Sequence, residues 1–276
     1  MKQTLNIAGC GKVAQVLARL WTQNRVLDIQ DILNRSPDSA RQAAAFIGAG
    51  RPVPEGAAMR SADIYLIGTP DDRIAATCEA LAGAGKFTEH SVVFHCSGAL
   101  RSSALQAATR CGAAVASVHP VRSFAVPETV AAGFAGTCCG IEGDQRALAV
   151  LEPAFAAIGA RLLPIKADAK ILYHAAAVFA SNYLVTLLDV AMQAYVEAGI
   201  PEDAALALME PLVRETVDNV FRLGTMAALT GPIARGDTDT ALRQQQAVAS
   251  WDARHGALYE IFIELTAALA QRRKSG

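Results

Sequence analysis

Charge is what this chain has little of. Only 18% of its 276 residues are Asp, Glu, Lys or Arg, against roughly 25% in ordinary soluble proteins. The 25 basic and 26 acidic side chains nearly cancel, leaving a net charge of -1. Basic runs are missing as well, apart from Arg272-Arg273-Lys274 near the end, which reads as a solvated tail. That balance argues against nucleic acid as the main partner, because binding phosphates needs a basic face. A surface with so little charge points instead to a subunit contact, and so to a homodimer.

Other absences narrow the class further. The six cysteines (Cys10, Cys78, Cys96, Cys111, Cys138 and Cys139) form no CxxC pair and no regular spacing. They read as small buried hydrophobes in a reducing cytoplasm, not as a zinc site or disulfide framework. A convincing signal peptide is lacking, since the first apolar run breaks at a glycine-rich turn and then at Lys12, Gln15 and Arg19. Residues 171–200 are oily enough to resemble a membrane span, but His174, Asn182, Asp189 and Glu197 interrupt them. An aspartate near the centre of a span costs roughly 2.5–3.5 kcal/mol. The expectation is a soluble, cytoplasmic protein with no membrane partner.

What is present is alternation. Short apolar stretches at residues 5–8, ending near 32–33, and at 64–67, 92–95, 114–118 and 136–141 read as strands covered on both faces. Helical patterns lie between them, at 12–23, from Ser36-Pro37-Asp38 onward, and at 151–158. The fold class is therefore α/β, a doubly wound and mostly parallel Rossmann sheet. After residue 165 the strand signals vanish, and 170–199, 202–223, 239–255 and 256–272 read as helices, with Gly199 and Gly224 placed as caps. The expected domains are 1–165, dinucleotide-binding, and 166–276, all-helical, for substrate and dimerisation.

The first strand leads into Gly9-Cys10-Gly11-Lys12-Val13-Ala14, a GxGxxA turn opening a helix. Its first glycine permits the tight turn, the second lets backbone approach a pyrophosphate, and Ala14 lets helix and strand pack closely. The helix N-terminus adds amide donors. Gly9 through Val13 are accordingly assigned to a dinucleotide, a packing turn being the plainer alternative. An NAD enzyme usually ends its second strand in Asp or Glu, whereas this chain has Asn34-Arg35-Ser36. A guanidinium and a hydroxyl suit a 2′-phosphate, so NADP is expected over NAD. An ordinary surface arginine is the alternative.

Three more strand ends carry polar groups: Gly68-Thr69-Pro70, then Ser97-Gly98 after His95-Cys96, then His119-Pro120. All fall on the edge where doubly wound sheets bind ligands. Gly68, Thr69, Pro70, Ser97 and Gly98 are expected around the cofactor. Ser97 would donate to the nicotinamide amide or a substrate oxygen, or else cap a helix. His119 is the general acid/base candidate, because imidazole titrates near neutrality; a structural turn histidine is the alternative. His90 and His255 have no supporting context and are expected to be exposed.

The oily helix carries a polar stripe. At about 100° per residue, Lys170, His174 and Ser181 fall within about 40° of one another, with Asn182 and Asp189 further round. A rise of about 1.5 Å per residue puts some 16 Å between Lys170 and Ser181, so the stripe lines a groove and cannot all touch one small substrate. Lys170 and His174 are expected at its mouth, Ser181 and Asn182 deeper, and Tyr173, Phe179 and Tyr183 in the core. A hydrogen-bonded core histidine is the alternative for His174. Residues 229–237, LTGPIARGD, read as a structured turn in which Arg235 either clamps a substrate carboxylate or holds its own loop.

Taken together, GxGxxA, HCSGAL, HPVRSF, YHAAAVFASNY and LTGPIARGD resemble, over nearly the whole chain, a family of bacterial oxidoreductase-like proteins. Its members pair a Rossmann-like N-terminal domain with a helical C-terminal domain of unknown function. The plan is also similar to 6-phosphogluconate and β-hydroxyacid dehydrogenases, whose catalytic lysine opens the first long C-terminal helix, with asparagine four residues on. Lys170 matches that lysine, and His174 stands at the asparagine's place. Prephenate dehydrogenases carry a serine after one strand and His-Pro after the next, which Ser97 and His119-Pro120 match. Pyrroline-carboxylate and ketopantoate reductases share only the broad plan.

These readings imply an NADP-dependent oxidoreductase passing hydride between the nicotinamide and a small carboxylated hydroxy or oxo compound. His119 or Lys170 would exchange the proton, with His174 beside them; Ser97 and Asn182 would orient the substrate, alongside Ser181 and Arg235. A non-catalytic NADP(H) sensor or assembly protein, and a cyclic-imine reductase, are the alternatives.

Overall fold

The computed structural model describes residues 2–275, the side chains of Lys274 and Ser275 excepted, so the last basic residue of the terminal triplet falls outside the described side chains. The chain opens with β1 (Thr4–Ala8), α1 (Lys12–Gln23), β2 (Asp28–Leu33), α2 (Pro37–Ile47), β3 (Arg51–Val53), β4 (Ile64–Ile67) and α3 (Asp71–Gly83). It continues through β5 (Val92–His95), α4 (Gln106–Arg110), β6 (Ala114–Pro120), α5 (Pro127–Ala132), β7 (Cys138–Gly143), α6 (Gln145–Ala156) and β8 (Arg161–Pro164).

Local chemistry explains several of these elements. Helix α1 buries Ala14, Val16, Leu17, Ala18, Leu20 and Trp21, an apolar stripe at helical spacing. Ser36 caps α2 by accepting the Ser39 amide, Pro37 sets its first turn, and Gly48 ends it in the left-handed region at φ 78°. Strand β5 is buried at all four positions, with Val92 and Phe94 in one core and Val93 in the other.

Among the described residues eight strands form one sheet, ordered β3-β2-β1-β4-β5-β6-β7-β8. All neighbouring pairs are parallel except β6–β7. One face packs the cluster around Leu5, Ile7, Trp21, Phe94 and Phe155, and the other packs Tyr65, Ile67, Val93 and Leu105. The expected doubly wound, mostly parallel sheet is the observed one. Its chain order turns back between β1 and β4, which creates the crevice such sheets use for ligands. Strands β3 and β8 were not anticipated; both are short edge strands with exposed positions.

The remainder is helical: α7 (Lys170–Ala180), α8 (Asn182–Glu197), α9 (Glu202–Leu223), α10 (Thr225–Ala228), α11 (Gly231–Arg235), α12 (Thr238–Trp251) and α13 (Ala253–Ser275). Compactness divides the chain into residues 1–181 and 182–276. The division falls later than the expected boundary at 165–166, because α7 sends Lys170 into the first unit's interior. The single helix expected over 170–199 is two helices, broken at Ser181 (φ -126°, ψ -72°). Residues 229–237 form a turn holding the short α11, and the break between α12 and α13 comes at Asp252.

By length and composition Ala167–Glu197 is apolar enough to cross a membrane, with mean hydropathy 1.5 over an 18-residue stretch of it, none of which is buried. Phe179 and Tyr183, expected in the core, are 69% and 55% exposed. His255, expected at the surface, is partly buried against Trp251, with ring centroids 4.7 Å apart. The described cysteines are all unpaired, and no cluster of His, Cys, Asp or Glu fit to hold a metal occurs among the described residues.

Candidate active site

The C-terminal edge of the sheet carries two groups of polar residues, both within the first unit. The first surrounds the turns after β1 and β4. Gly9 leaves β1 at φ 86°, and a Cβ there would lie 2.5 Å from the Thr69 amide nitrogen. A Cβ on Gly68 would strike the Gly9 carbonyl oxygen, so the two turns touch only because both residues are glycine. Gly11 then opens α1 with no side-chain cap and no acid in the first turn. The first amides of α1 are thus left to an anionic partner.

A cavity of about 970 Å³ lies over these turns. Gly9, Cys10, Gly11, Asn34, Arg35, Gly68, Thr69 and Pro70, all assigned to the cofactor from the sequence, line it, and Ser39, Glu55, Arg73 and Thr77 join them. These last four come from a loop and from helices α2 and α3, with no motif of their own. Asn34 explains why no carboxylate ends β2: its Oδ1 accepts the Cys10 amide at 2.6 Å and so pins the glycine-rich turn. Burial pushes the Cys10 thiol up to about 12, so that side chain is inert. Five expected contacts lie outside the lining: Ser97 and Gly98, at the end of β5, and three nearer the turn. Lys12 donates to the Ala125 carbonyl at 2.7 Å, Val13 packs on the core, and Ser36 caps α2. The uncapped helix, the Cβ-free turn and the arginines in the cavity together fit an anionic dinucleotide.

The second group begins where β5 ends. The Ser97 hydroxyl donates to Asp71 at 2.7 Å and accepts the amides of Ala99 and Leu100 at 3.2 and 2.9 Å. It is therefore a turn cap, and Asp71 is a partner the sequence did not announce. Beneath it His95 is fully buried, accepting the Ser97 amide at Nδ1 (3.1 Å) with Nε2 3.0 Å from the Arg101 carbonyl. Burial pushes this imidazole down to about 4, against the pull of the Arg101 carbonyl.

Lys170 is not at a groove mouth; it has no exposed surface. Its ammonium donates to the Ser97 carbonyl at 2.9 Å and to the Ser117 hydroxyl, and sits 3.7 Å from Glu142. Glu142 accepts the Ser102 amide and hydroxyl, both at 2.7 Å. Burial holds the lysine below its ordinary range, with Glu142 opposing. Lys170 thereby ties α7 to β6, β7 and the turn after β5. Nothing in the sequence marked Glu142 as its partner.

Above this tie three rings meet. His119 Nδ1 lies 3.1 Å from the Tyr173 hydroxyl, and its ring stands edge-on to those of Tyr173 and His174, with centroids 5.6 and 5.5 Å away. A Cβ on Gly98 would come within 2.8 Å of His119 Nε2 and would strike His174 Nδ1. Gly98 is thus the floor beneath both imidazoles. His174 Nδ1 is buried with no hydrogen-bond partner, so this ring is not the satisfied core histidine of the alternative. Burial, then the neighbouring His174 and Lys170, push His119 down to about 4. Tyr173, expected in the core, is half-buried and bound to His119 through its hydroxyl. Ser181 is exposed at the break after α7, and Asn182 and Arg235 are exposed in the second unit. Within the first unit, Tyr173, His119 and His174 form a compact group.

Residues 137–266 match the model of a family described as a domain of unknown function, DUF2520. Among curated proteins, none matches the chain. Solved structures are similar over nearly its whole length. Protein TM1727 from Thermotoga maritima is 25% identical with a TM-score of 0.77, covering 98% of this chain and 99% of its own. BF3122 from Bacteroides fragilis, provisionally named an NADP oxidoreductase, is 22% identical with a TM-score of 0.77, covering 97% and 98%. Pyrroline carboxylate reductase from Plasmodium falciparum, solved with NADP bound, is 13% identical with a TM-score of 0.60, again covering 97% and 98%. The fold is thus a Rossmann-like domain followed by a helical region of unknown function, as the motif resemblance implied.

Proposed function

We propose that the protein is an NADP-dependent oxidoreductase acting on a small carboxylated hydroxy or oxo compound. One observation carries this reading. A single sheet edge holds a Cβ-free, uncapped turn suited to a dinucleotide at β1 and β4, and His119 at the end of β6, two strands further along. Arg35 and Ser39, in place of a ribose-binding acid, favour a 2′-phosphate. The bound nucleotide would supply or accept hydride. The chain's own part is to hold the ring floor at Gly98 and to exchange a proton at His119 Nε2. Lys170 serves as the buried tie beneath, and Ser97 as the turn cap. The reading stands without a role for Ser181, Asn182 or Arg235.

Titration with NADPH and NADH is the first test, with NADPH expected to bind at least about tenfold more tightly through its charge-assisted phosphate contacts. Equal or tighter NADH binding removes the NADP assignment. Against a panel of hydroxy acids, oxo acids and cyclic imines, His119→Asn is expected to lose about a hundredfold in turnover with NADPH affinity unchanged. Nucleotide binding without turnover of any compound would favour a sensor. A second reading, cyclic-imine reduction, draws on the neutral state of His119, because a protonated imine accepts hydride without an enzymic acid. We also propose a homodimer.

A further inference from the structure

A His119 that is neutral at physiological pH raises a question of supply: where does the proton for a reduced carbonyl oxygen come from? We propose that Tyr173 is a positioning residue that sets the tautomer of His119 and returns a proton to its ring when Nε2 gives one up. This rests on the reading of His119 as the proton-exchanging group.

Three features converge on it. Tyr173 lies in the first turn of α7, three residues after Lys170, whose buried ties to Ser97, Ser117 and Glu142 fix that turn. Gly140 pairs with His119 across β6 and β7, and a Cβ there would lie 2.5 Å from the phenol oxygen. The space opposite His119 is therefore reserved for the Tyr173 hydroxyl, 3.1 Å from Nδ1. Burial raises the phenol above its ordinary range, while the Gly140 amide acts on its oxygen in the other direction. A protonated phenol approached by an amide donor has its own O–H to give, and Nδ1 is the acceptor. The imidazole then carries its proton on Nε2, on the ring edge that faces Gly98.

The surroundings keep the ring neutral. From α7 it faces His174 and Tyr173, with Lys170 beneath, and Gly140 of β7 pairs with it; Asp71 on α3, bound to Ser97, pulls the other way, but burial outweighs it. When hydride reaches a carbonyl carbon, the C=O π pair moves to oxygen and takes the Nε2 proton. The Nε2–H electron pair stays on the ring, and the Nδ1 lone pair takes the Tyr173 proton. The phenolate then recovers its proton from Nδ1 as Nε2 takes one from water, which leaves hydroxide to the solvent and restores the starting tautomer. The ring is neutral at the start and at the end, so a weakly basic histidine donates without first being charged.

Long-range nitrogen NMR of histidine-labelled protein tests the tautomer without any substrate, with His119→Asn assigning the signals. The free protein is expected to show His119 protonated on Nε2 alone, and Tyr173→Phe to show a mixture while the His95 signals stay fixed. Gly140→Ala, which displaces the hydroxyl and keeps the tyrosine, is expected to give the same mixture. With an oxo substrate in hand, Tyr173→Phe should lower turnover tenfold to a hundredfold at unchanged KM. A fluorotyrosine at 173 should move the alkaline limb of the rate profile down. An Nδ1-protonated ring in the free protein, or unchanged ring signals in Tyr173→Phe, overturns the proposal. A lack of turnover with every compound would count against the oxidoreductase reading alone, because the tautomer is read independently.

Discussion

A lysine with no exposed surface must have its charge met by its neighbours, and Lys170 is met by the Ser97 carbonyl, the Ser117 hydroxyl and Glu142. Removing a charge pair whole and removing half of it have opposite consequences. Lys170→Met leaves a carboxylate, 7% exposed, with only Ser102 as donor. The single variant is expected to lose about 3–5 kcal/mol of unfolding free energy in urea. The double variant Lys170→Met, Glu142→Gln should recover most of it, since no unpaired charge remains. A single variant as stable as the wild type would show that the pair holds nothing together. Turnover in the double variant tells the tie from a proton donor: a tie leaves most of it, whereas a donor takes it away.

At the scale of elements, β5 and its turn form a unit held by a neutral histidine. His95 accepts the Ser97 amide at Nδ1, so Nε2–H donates to the Arg101 carbonyl. Protonating it would set two donors against each other at Nδ1. Its folded value of about 4 lies below the roughly 6.5 of an unfolded chain. Between those values the unfolded chain binds a proton that the folded one refuses, so stability is full above about 6.5 and falls as pH drops towards 4. The loss from His95 is of the order of 3 kcal/mol. Unfolding at pH 7 and 4.5 should show it, with His95→Asn giving a shallower slope; equal slopes would dismiss the account. Elements like β5 were legible because an apolar run between turn residues has one reading. The bounds of α1, β4 and β5 match the sequence pattern for that reason. Strands β3 and β8 were not, because short, partly exposed edge strands carry no pattern. The break at Ser181 was hidden too, having neither Gly nor Pro to announce it.

For the molecule as a whole, the scarcity of charge that opened the sequence reappears as exposed apolar side chains. In the second unit, Val185 on α8 and Leu206, Leu212 and Phe221 on α9 are all more than half exposed, Phe221 at 85%. Single exposed hydrophobes are ordinary, but this many on successive helices signals a surface meant to be covered. Composition raised the expectation of a covered surface without placing it, because helical periodicity marks an apolar face without saying what it meets. The site was hidden for a related reason: His119 was evident from its strand end, while Tyr173 and Glu142 matter only through contacts made across the fold. The proposed occupant of the apolar surface is a second copy, and a stable dimer needs roughly 1,200–2,000 Å² of it. Light scattering at micromolar concentration is expected to give twice the chain mass, and Phe221→Glu with Leu212→Glu to halve it while NADPH binding persists. A monomeric wild type would remove the dimer, and co-sedimentation of that monomer with lipid vesicles would assign the same helices to a bilayer surface.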